Sequence, residues 1–446
     1  MKIGILREGK IPPDRRVVLS PNQCFKLQQQ YTDIELVVQP SSIRCFSDDQ
    51  YLSLGINMQE DLSDCDIIMG VKEVPIKDLI AEKTYLYFSH TIKEQHYNRE
   101  LLKKMLELNI KMVDYEVLTD INGKRIIGFG RYAGIVGCYN GFLAIGKGTG
   151  KFDLKPAYMC NDRKEMELEL KKINLPKMKI IITGAGRVGN GILELINIIG
   201  IKEVSKDDFL NKNFDEAVFV HLNTMDYNTR IDGKEGSKSD FYSNPKEYKS
   251  DFMKFAKQAE FFIAGHYYAA DSPFLFNRVD AKSKDFKIRT VADISCDIDG
   301  PVASSIRCSS ITDPIYGYNP KTESEDDFRK QDVITVMAVD NLPCELPKDA
   351  SIGFGENLLK YIIPNLLGDD LNNVIERATI CENGKLKKSF RYLESFVMNY
   401  DNLNSLDLKN EWYHLYENNE KRSIFEYVLI LGGREFIFKD LYDSNI

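Results

Sequence analysis

Lys179-Ile180-Ile181-Ile182-Thr183-Gly184-Ala185-Gly186-Arg187-Val188-Gly189-Asn190-Gly191 is the stretch whose reading decides the fold. Ile180 to Ile182 are β-branched and read as a short buried strand. Gly184, Gly186 and Gly189 follow at G-x-G-x-x-G spacing, and Ile192, Leu193, Leu195 and Ile196 continue with helical spacing. Strand, glycine turn and helix in that order form the dinucleotide-binding fingerprint. Gly184 permits the turn, Gly186 lets backbone approach a pyrophosphate, and Gly189 lets helix and strand pack closely. The helix N-terminus faces the phosphates. Arg187 and Val188 fill the turn and join the three glycines as cofactor candidates. The competing reading is a tight strand-to-helix turn that holds no ligand.

Working outward, 446 residues are long for one core and predict two or three domains. The hydrophobic fraction of 43% and charged fraction of 28% are those of a soluble globular protein. The 59 basic and 67 acidic residues leave a net charge of -8, which argues against a nucleic-acid partner held by bulk charge. The opening Met-Lys-Ile-Gly-Ile-Leu meets charge at Arg7, so no signal-peptide core is expected there. No apolar run is long enough to span a bilayer. The 9 cysteines are scattered with no C-x-x-C, which predicts reduced thiols and a cytoplasmic protein. No structural metal site is expected from the 5 histidines, none at ligand spacing to a cysteine.

The first third alternates strand and helix signals, the pattern of parallel βαβ units. Strands are expected at Lys2–Leu6, Ile34–Val38, Asp66–Val71, Thr84–Ser89 and Ile110–Asp114. Helices are expected from Ser20-Pro21, a cap followed by a first-turn proline, and over Asn98–Leu108. Asn122-Gly123 is a two-residue turn signal. Ligands in open α/β sheets sit beyond the carboxyl ends of the strands. Arg7, Lys72 and His90 all lie just past such ends. Taken singly, each could be a solvated loop residue or a packed one.

Several motifs in this region resemble one superfamily. Leu6-Arg7-Glu8 with Arg16-Val17-Val18-Leu19-Ser20-Pro21 is similar to the opening of the alanine dehydrogenase, transhydrogenase and saccharopine dehydrogenase superfamily. Gly70-Val71-Lys72-Glu73-Val74-Pro75 resembles its x-K-E-x-P motif. Phe88-Ser89-His90-Thr91-Ile92-Lys93-Glu94-Gln95 looks like the His motif of the lysine-forming saccharopine dehydrogenases. Gly123 to Gly134 resembles the segment closing their first domain, and Val339 to Ser351 resembles their D-x-L-P-x-x-L-P-x-x-A-S run. The resemblance covers roughly residues 1 to 395. It implies an α/β fold of two Rossmann-like, doubly wound parallel-sheet domains with an active-site cleft between them. The expected substrate domain is 1–132, rejoined by 345–400, and the dinucleotide domain is 133–344. Residues 401–446, with a strand-and-turn signal at Tyr427–Gly433, form a C-terminal extension with no functional reading.

In the middle of the chain, Ala133–Ile145 reads as a helix crossing between domains, and Asp162–Ile173 as a charged amphipathic helix. After the glycine turn, an acid gripping the ribose is expected at the end of the next strand. That strand is Ala217–Leu222, and it ends in Asn223, with Asp226 three residues on. Residues 201–216 look like an insertion and 228–255 like a polar surface excursion. An Asp would repel a 2′-phosphate and an Asn would not, so the cofactor is read as NAD with NADP left open. Ala259–Ala264 and Thr290–Ile294 are further strands. In the family, their ends edge the nicotinamide, which implicates Tyr267 and Ile294. The loop Val339, Asp340, Leu342, Pro343 comes back beside the cofactor by the same resemblance. Asp297 and Asp299 form a competing metal pair, but too few oxygens lie near them for a calcium cage. Ile352–Leu367 reads as a helical pair broken at Pro364, and 383–397 as a turn and an amphipathic helix.

The resemblance implies an acid/base pair of Lys72 and His90. His90 suits proton transfer near neutral pH, and Lys72 needs burial or a neighbouring cation to act as a base. Saccharopine carries three carboxylates, so its site needs several cations, with Arg favoured for bidentate grip. Lys10, Arg16, Arg125 and Arg131 are the candidates, with Phe129 and Gln95 as further substrate contacts. The expected function is NAD-dependent oxidative cleavage of saccharopine to lysine and 2-oxoglutarate, or its reverse. The alternatives are an NADPH-dependent lysine–2-oxoglutarate reductase, an alanine dehydrogenase-like enzyme, and a non-catalytic NAD-binding sensor. The expected partner is a small amino-acid or opine-type substrate, with no nucleic acid, no membrane and no fixed oligomeric state.

Overall fold

The computed structural model describes residues 1–10, 13–269 and 271–398. The expected strand and turn at Tyr427–Gly433 lie outside them. The described residues form two eight-stranded sheets and a two-stranded ribbon. The chain packs as two compact units. One comprises Met1–Lys10, Asp61–Arg125 and the described residues from Asn365 on; the other comprises Ile11–Glu60 and Ile126–Pro364. Among the described residues, no helix is long and apolar enough to cross a membrane.

In the first unit the strands lie in the order Lys385–Leu386, Thr379–Glu382, Lys111–Asp114, Thr84–Tyr87, Ile67–Met69 and Lys2–Ile5. The last four pair in parallel, as alternating strand and helix signals require. Their inner residues are apolar on both faces and fully buried, which is the composition of a covered parallel sheet. Thr379–Glu382, which carries no strand signal beyond four residues, adds antiparallel to Lys111–Asp114. The turn Asn383-Gly384 takes left-handed φ of 53° and 70° and joins it to Lys385–Leu386. The amphipathic helix expected after it forms as a 3₁₀ stretch, Lys388–Leu393, and a short helix, Glu394–Met398.

In the second unit the sheet order is Ser324–Asp326, Ile315–Asn319, Ile334–Met337, Thr290–Asp293, Phe261–Ala264, Lys179–Thr183, Val218–Leu222 and Lys202–Glu203. The strand Lys179–Thr183 is central, parallel to both neighbours. Against the strands Thr290–Asp293 and Ile334–Met337 of this sheet runs the helix Gly130–Thr149, longer than expected at both ends and buried over most of its length. It lies against the helix Arg187–Ile199 at the closest approach glycine allows. A Cβ on Gly134 would stand 2.0 Å from the Val188 carbonyl, and one on Gly191 2.1 Å from that of Arg131. The helix Pro21–Gln30 joins this unit through Gln23, whose Nε2 donates to the Ile352 carbonyl at 2.8 Å.

Two expected segments gain detail and one expectation changes. Residues 201–216, read as an insertion, form an edge strand, Lys202–Glu203, and a helix, Lys206–Asn211. They lengthen the path from the glycine turn to Val218–Leu222, which explains the unusual spacing to Asn223. The polar stretch 228–255 is ordered around a ribbon of Asn228–Arg230 and Tyr248–Ser250. Arg230 fastens it, pairing with Asp232, Asp240 and Glu247. Pro364 does not break the chain. A π turn over Leu358–Ile362 precedes it, and Pro364 falls second in the segment Ile363–Leu367, where the missing N–H is tolerated.

Candidate active site

The glycine turn shows three distinct local demands. Gly184 has φ +96°, and a Cβ there would lie 2.1 Å from the Gly265 carbonyl, so only glycine fits. A Cβ on Gly189 would lie 1.8 Å from the Gly184 carbonyl, so the helix closes directly on the turn. Gly186 differs: a Cβ there would meet nothing within 4 Å. It is the N-cap of Arg187–Ile199 and supplies no side-chain cap. No side-chain cap therefore covers the start of that helix, and the positive end of the helix dipole lies behind the turn. These features fit a dinucleotide pyrophosphate. His221, not singled out from the sequence, steadies the turn, its Nε2 lying 2.8 Å from the Gly184 carbonyl.

Past the end of Val218–Leu222, Asn223 donates its N–H to Asp226 Oδ2 at 2.7 Å. The other oxygen of Asp226 is paired with Lys206 Nζ at 2.5 Å. The acid nearest the expected ribose position is thus held by a lysine from the helix Lys206–Asn211. Tyr267 is 76% exposed, with its ring 6.3 Å from that of Tyr242. Ile294 and Leu342 pack on the helix Gly130–Thr149, where a Cβ on Gly137 would meet them at 2.4 and 3.0 Å. Val339 is buried, Asp340 exposed, and Leu342 and Pro343 lie in the 3₁₀ turn Leu342–Glu345. In that turn Glu345 is buried and accepts from Asn140 Nδ2 at 2.7 Å. Burial pushes its carboxyl up to about 8.

The substrate candidates in this unit are all engaged. Arg16 is buried and bidentate on Asp14 at 3.0 and 2.6 Å, and its guanidinium lies 4.2 Å from the centre of the Phe129 ring. Phe129 stacks on Phe354 in turn. Arg131 is bidentate on Glu194 at 2.6 and 2.8 Å.

In the first unit the loops past three strand ends build an acid–base cluster. Both oxygens of Glu8 accept backbone N–H groups, from Val71 at 2.7 Å and Lys72 at 2.8 Å. That clamp fixes the loop carrying Lys72, Glu73 and Pro75. Glu73 lies 3.0 Å from Lys10 Nζ and 2.5 Å from His90 Nδ1. Burial acts to raise its carboxyl pKa, but the hydrogen bond and charge of His90, with Lys10, hold it down to about 2. His90 takes a left-handed φ of 53° on leaving the strand Thr84–Tyr87, and its ring stacks on Phe88. Beneath it Asp114 is fully buried, with a pKa raised by burial, and accepts from Ser89 N–H at 3.1 Å and from Glu116 N–H at 2.7 Å. Arg125 stands 5.4 Å over the Phe88 ring and 3.8 Å from Glu116. Gln95 is exposed and accepts from the Tyr97 hydroxyl.

The structure thus brings Lys10 and His90 onto one carboxylate, with Lys72 next to it in the chain and Arg125 beside Phe88. Glu73 and Glu8 are the residues sequence reasoning missed. Both stand inside the quoted motifs, but spacing alone gives no reason to assign them a role. Among the described residues no group of three or more His, Cys, Asp or Glu side chains is placed to hold a metal ion.

Residues 4–136 match the family described as "Alanine dehydrogenase/PNT, N-terminal domain". The chain is 27% identical to mitochondrial alpha-aminoadipic semialdehyde synthase of Mus musculus over 461 residues, covering 92% of this chain and 49% of that protein. It is 28% identical to the Arabidopsis thaliana protein of the same name, covering 88% of this chain and 41% of the relative. The chain therefore spans about half the length of these relatives or less. A saccharopine dehydrogenase [NAD(+), L-lysine-forming] of Schizosaccharomyces pombe is 27% identical, covering 82% of this chain and 93% of that one. Among solved structures, an L-alanine dehydrogenase aligns with TM-score 0.61 at 15% identity, covering 89% of this chain and 100% of the other. A transhydrogenase from Sinorhizobium meliloti aligns with TM-score 0.56 at 13% identity, covering 87% of this chain and 100% of the other.

Proposed function

We propose that this chain, a member of the alanine dehydrogenase, transhydrogenase and saccharopine dehydrogenase superfamily, is a nicotinamide-dependent oxidoreductase that cleaves or forms saccharopine. The observation that carries the reading is the Glu73–His90 pair beside Lys72, built on loops past parallel strand ends. The names of the relatives supply the substrate class. In this reading Gly184, Gly186, Arg187, Val188 and Gly189 hold the pyrophosphate, and Asn223 and Asp226 meet the ribose. Tyr267, Ile294, Val339, Asp340, Leu342 and Pro343 edge the rest. The nicotinamide, when bound, supplies hydride exchange at the carbon bearing nitrogen.

The chain's own work is protonic. Glu73, ionised at neutral pH, accepts from His90 Nδ1–H, which fixes the tautomer and leaves Nε2 to take or give a proton at substrate. Lys72 Nζ is the second proton carrier, for the imine hydrolysis that follows C–N oxidation. Lys10 and Arg125 are the cations we assign to substrate carboxylates, with Gln95 as a further contact. Arg16, already bidentate on Asp14, acts by supporting the Phe129 ring, and Arg131 is committed to Glu194.

A second reading, condensation of lysine with 2-oxoglutarate using NADPH, is favoured by one observation. Lys206 offsets the charge of Asp226, so a 2′-phosphate there is not repelled. The test is purified protein with saccharopine and NAD or NADP, and with lysine, 2-oxoglutarate and NADH or NADPH, followed by absorbance of the reduced cofactor. Turnover in any pair supports the reading, and the ratio of the two cofactors separates its versions. Silence in all of them overturns it. Lys72→Met is expected to lower turnover by about a hundredfold or more while leaving cofactor affinity in place. Unchanged turnover removes Lys72 from the chemistry.

A further inference from the structure

Cys296 and Cys308 stand with their sulfurs 3.5 Å apart. Cys296 leaves the carboxyl end of the strand Thr290–Asp293 with a left-handed φ of 53°. Its N–H donates to Asp293 Oδ1 at 3.1 Å, and its thiol donates to the Ala338 carbonyl at 3.1 Å. Cys308 is followed by Ser309, whose N–H donates to that same carbonyl at 2.8 Å, while Ser309 Oγ accepts from Ala338 N–H at 3.1 Å. Both cysteine loops are therefore tied to one residue, at the end of the strand Ile334–Met337. Val339 and Asp340 follow it directly, and Ile294 stands two residues before Cys296. Among the described residues Cys308 is the one exposed cysteine, while Cys296 is partly covered.

We propose that Cys296 and Cys308 are a thiol–disulfide switch at the dinucleotide edge of this unit. The oxidant is a low-molecular-weight disulfide of the glutathione class. The exposed Cys308 thiolate attacks one of its sulfurs, forming a mixed disulfide and releasing one thiolate. Cys296 then gives its proton to solvent and attacks Cys308 Sγ. The protein disulfide forms and the second small thiol leaves. Two protein thiols are oxidised and one small disulfide is reduced to two thiols. Burial pushes the Cys296 thiol up, which makes its attack the slow step and Cys308 the first to react. A disulfide holds its sulfurs about 2.05 Å apart, so the two must close by roughly 1.5 Å. Cys296 gives up its bond to the Ala338 carbonyl as they do. That carbonyl opens the segment on which Val339 and Asp340 stand, so oxidation moves the cofactor edge.

The effect on cofactor rests on the function proposed above, whereas formation of the disulfide does not. The full chain is incubated in mixtures of reduced and oxidised glutathione, digested with trypsin without reductant, and mapped by mass spectrometry. The expected product is peptide 290–307 linked to peptide 308–321, lighter by two hydrogens and separated by dithiothreitol. Glutathione left on Cys308 without the link, or both thiols remaining free, overturns the proposal. Dinucleotide affinity is then titrated on the reduced and oxidised chain. A weakening of about tenfold is expected, within the range usual for coupled sites, and bound dinucleotide should resist oxidation by the same factor. Equal affinities overturn the switch. Cys308→Ser should keep basal affinity and lose all response to oxidant. If no dinucleotide binds at all, the function proposed above fails, while the linked peptide still reads out the thiol pair.

Discussion

Glu73 shows most clearly how one side chain sets the chemistry of its neighbours. Its carboxyl is held to about 2 by His90 and Lys10 against the opposing effect of burial. Because the folded value lies below the ordinary 4.5, the group adds stability that is present above pH 4.5 and lost as pH falls towards 2. Glu73→Gln should therefore flatten the acid limb of a stability-versus-pH curve measured by urea titration. It should also lower turnover by about tenfold, because Nδ1 loses its charged acceptor. An unchanged acid limb would show that the pair does not form in solution. Glu345 behaves with the opposite sign. Burial raises it to about 8, so the folded state keeps a proton that the unfolded chain releases, and stability declines between pH 4.5 and 8. Glu345→Gln mimics the protonated side chain if the Asn140 amide turns to accept from it. Its Tm should exceed that of the parent near pH 8 and match it at acid pH; a lower Tm at every pH would show that the buried carboxyl is needed as an acid.

At the scale of elements, the glycine turn separates folding from binding within three residues. Gly184→Ala meets a carbonyl at 2.1 Å in a left-handed conformation and should destabilise the second unit by about 2 kcal/mol or more. Gly186→Ala meets nothing within 4 Å, and its φ of -91° suits any residue. It should leave thermal stability in place while weakening dinucleotide affinity by about tenfold, as the methyl intrudes on the pyrophosphate. Equal losses of stability in both variants would show that the turn is built for packing alone. This motif is legible in sequence because every demand on it is local: a strand, a turn and a helix follow one another in the chain. The helix start at Ser20-Pro21 is legible for the same reason. The three strands between Ile315 and Met337 are not, since short segments interrupted by polar turns carry little periodicity.

At the scale of the whole molecule, two compact units predict two unfolding transitions in calorimetry. A dinucleotide at a hundred times its Kd adds about 2.7 kcal/mol to the state it binds. Only the transition of the unit carrying Gly184–Gly189 should rise. A single transition, or an equal rise in both, would show that the units do not unfold independently.

The amino-acid sequence by itself determined the alternation of strands and helices, the dinucleotide turn, and the placing of Lys72 and His90 just past strand ends. These are properties of neighbours along the chain, set by side-chain period, turn chemistry and caps. The tertiary structure decided which charges meet. It set Glu73 between Lys10 and His90, committed Arg131 to Glu194, and placed Lys206 on Asp226. It also joined Asn140 to Glu345 across 205 positions, and Gln23 to Ile352 across 329. Such pairings depend on which helices and loops pack side by side, and no local pattern carries that. The glycine turn is written in the chain because its constraint is steric and local. The acid–base cluster becomes visible only when the sheet brings separate loops within the few ångströms over which a hydrogen bond acts.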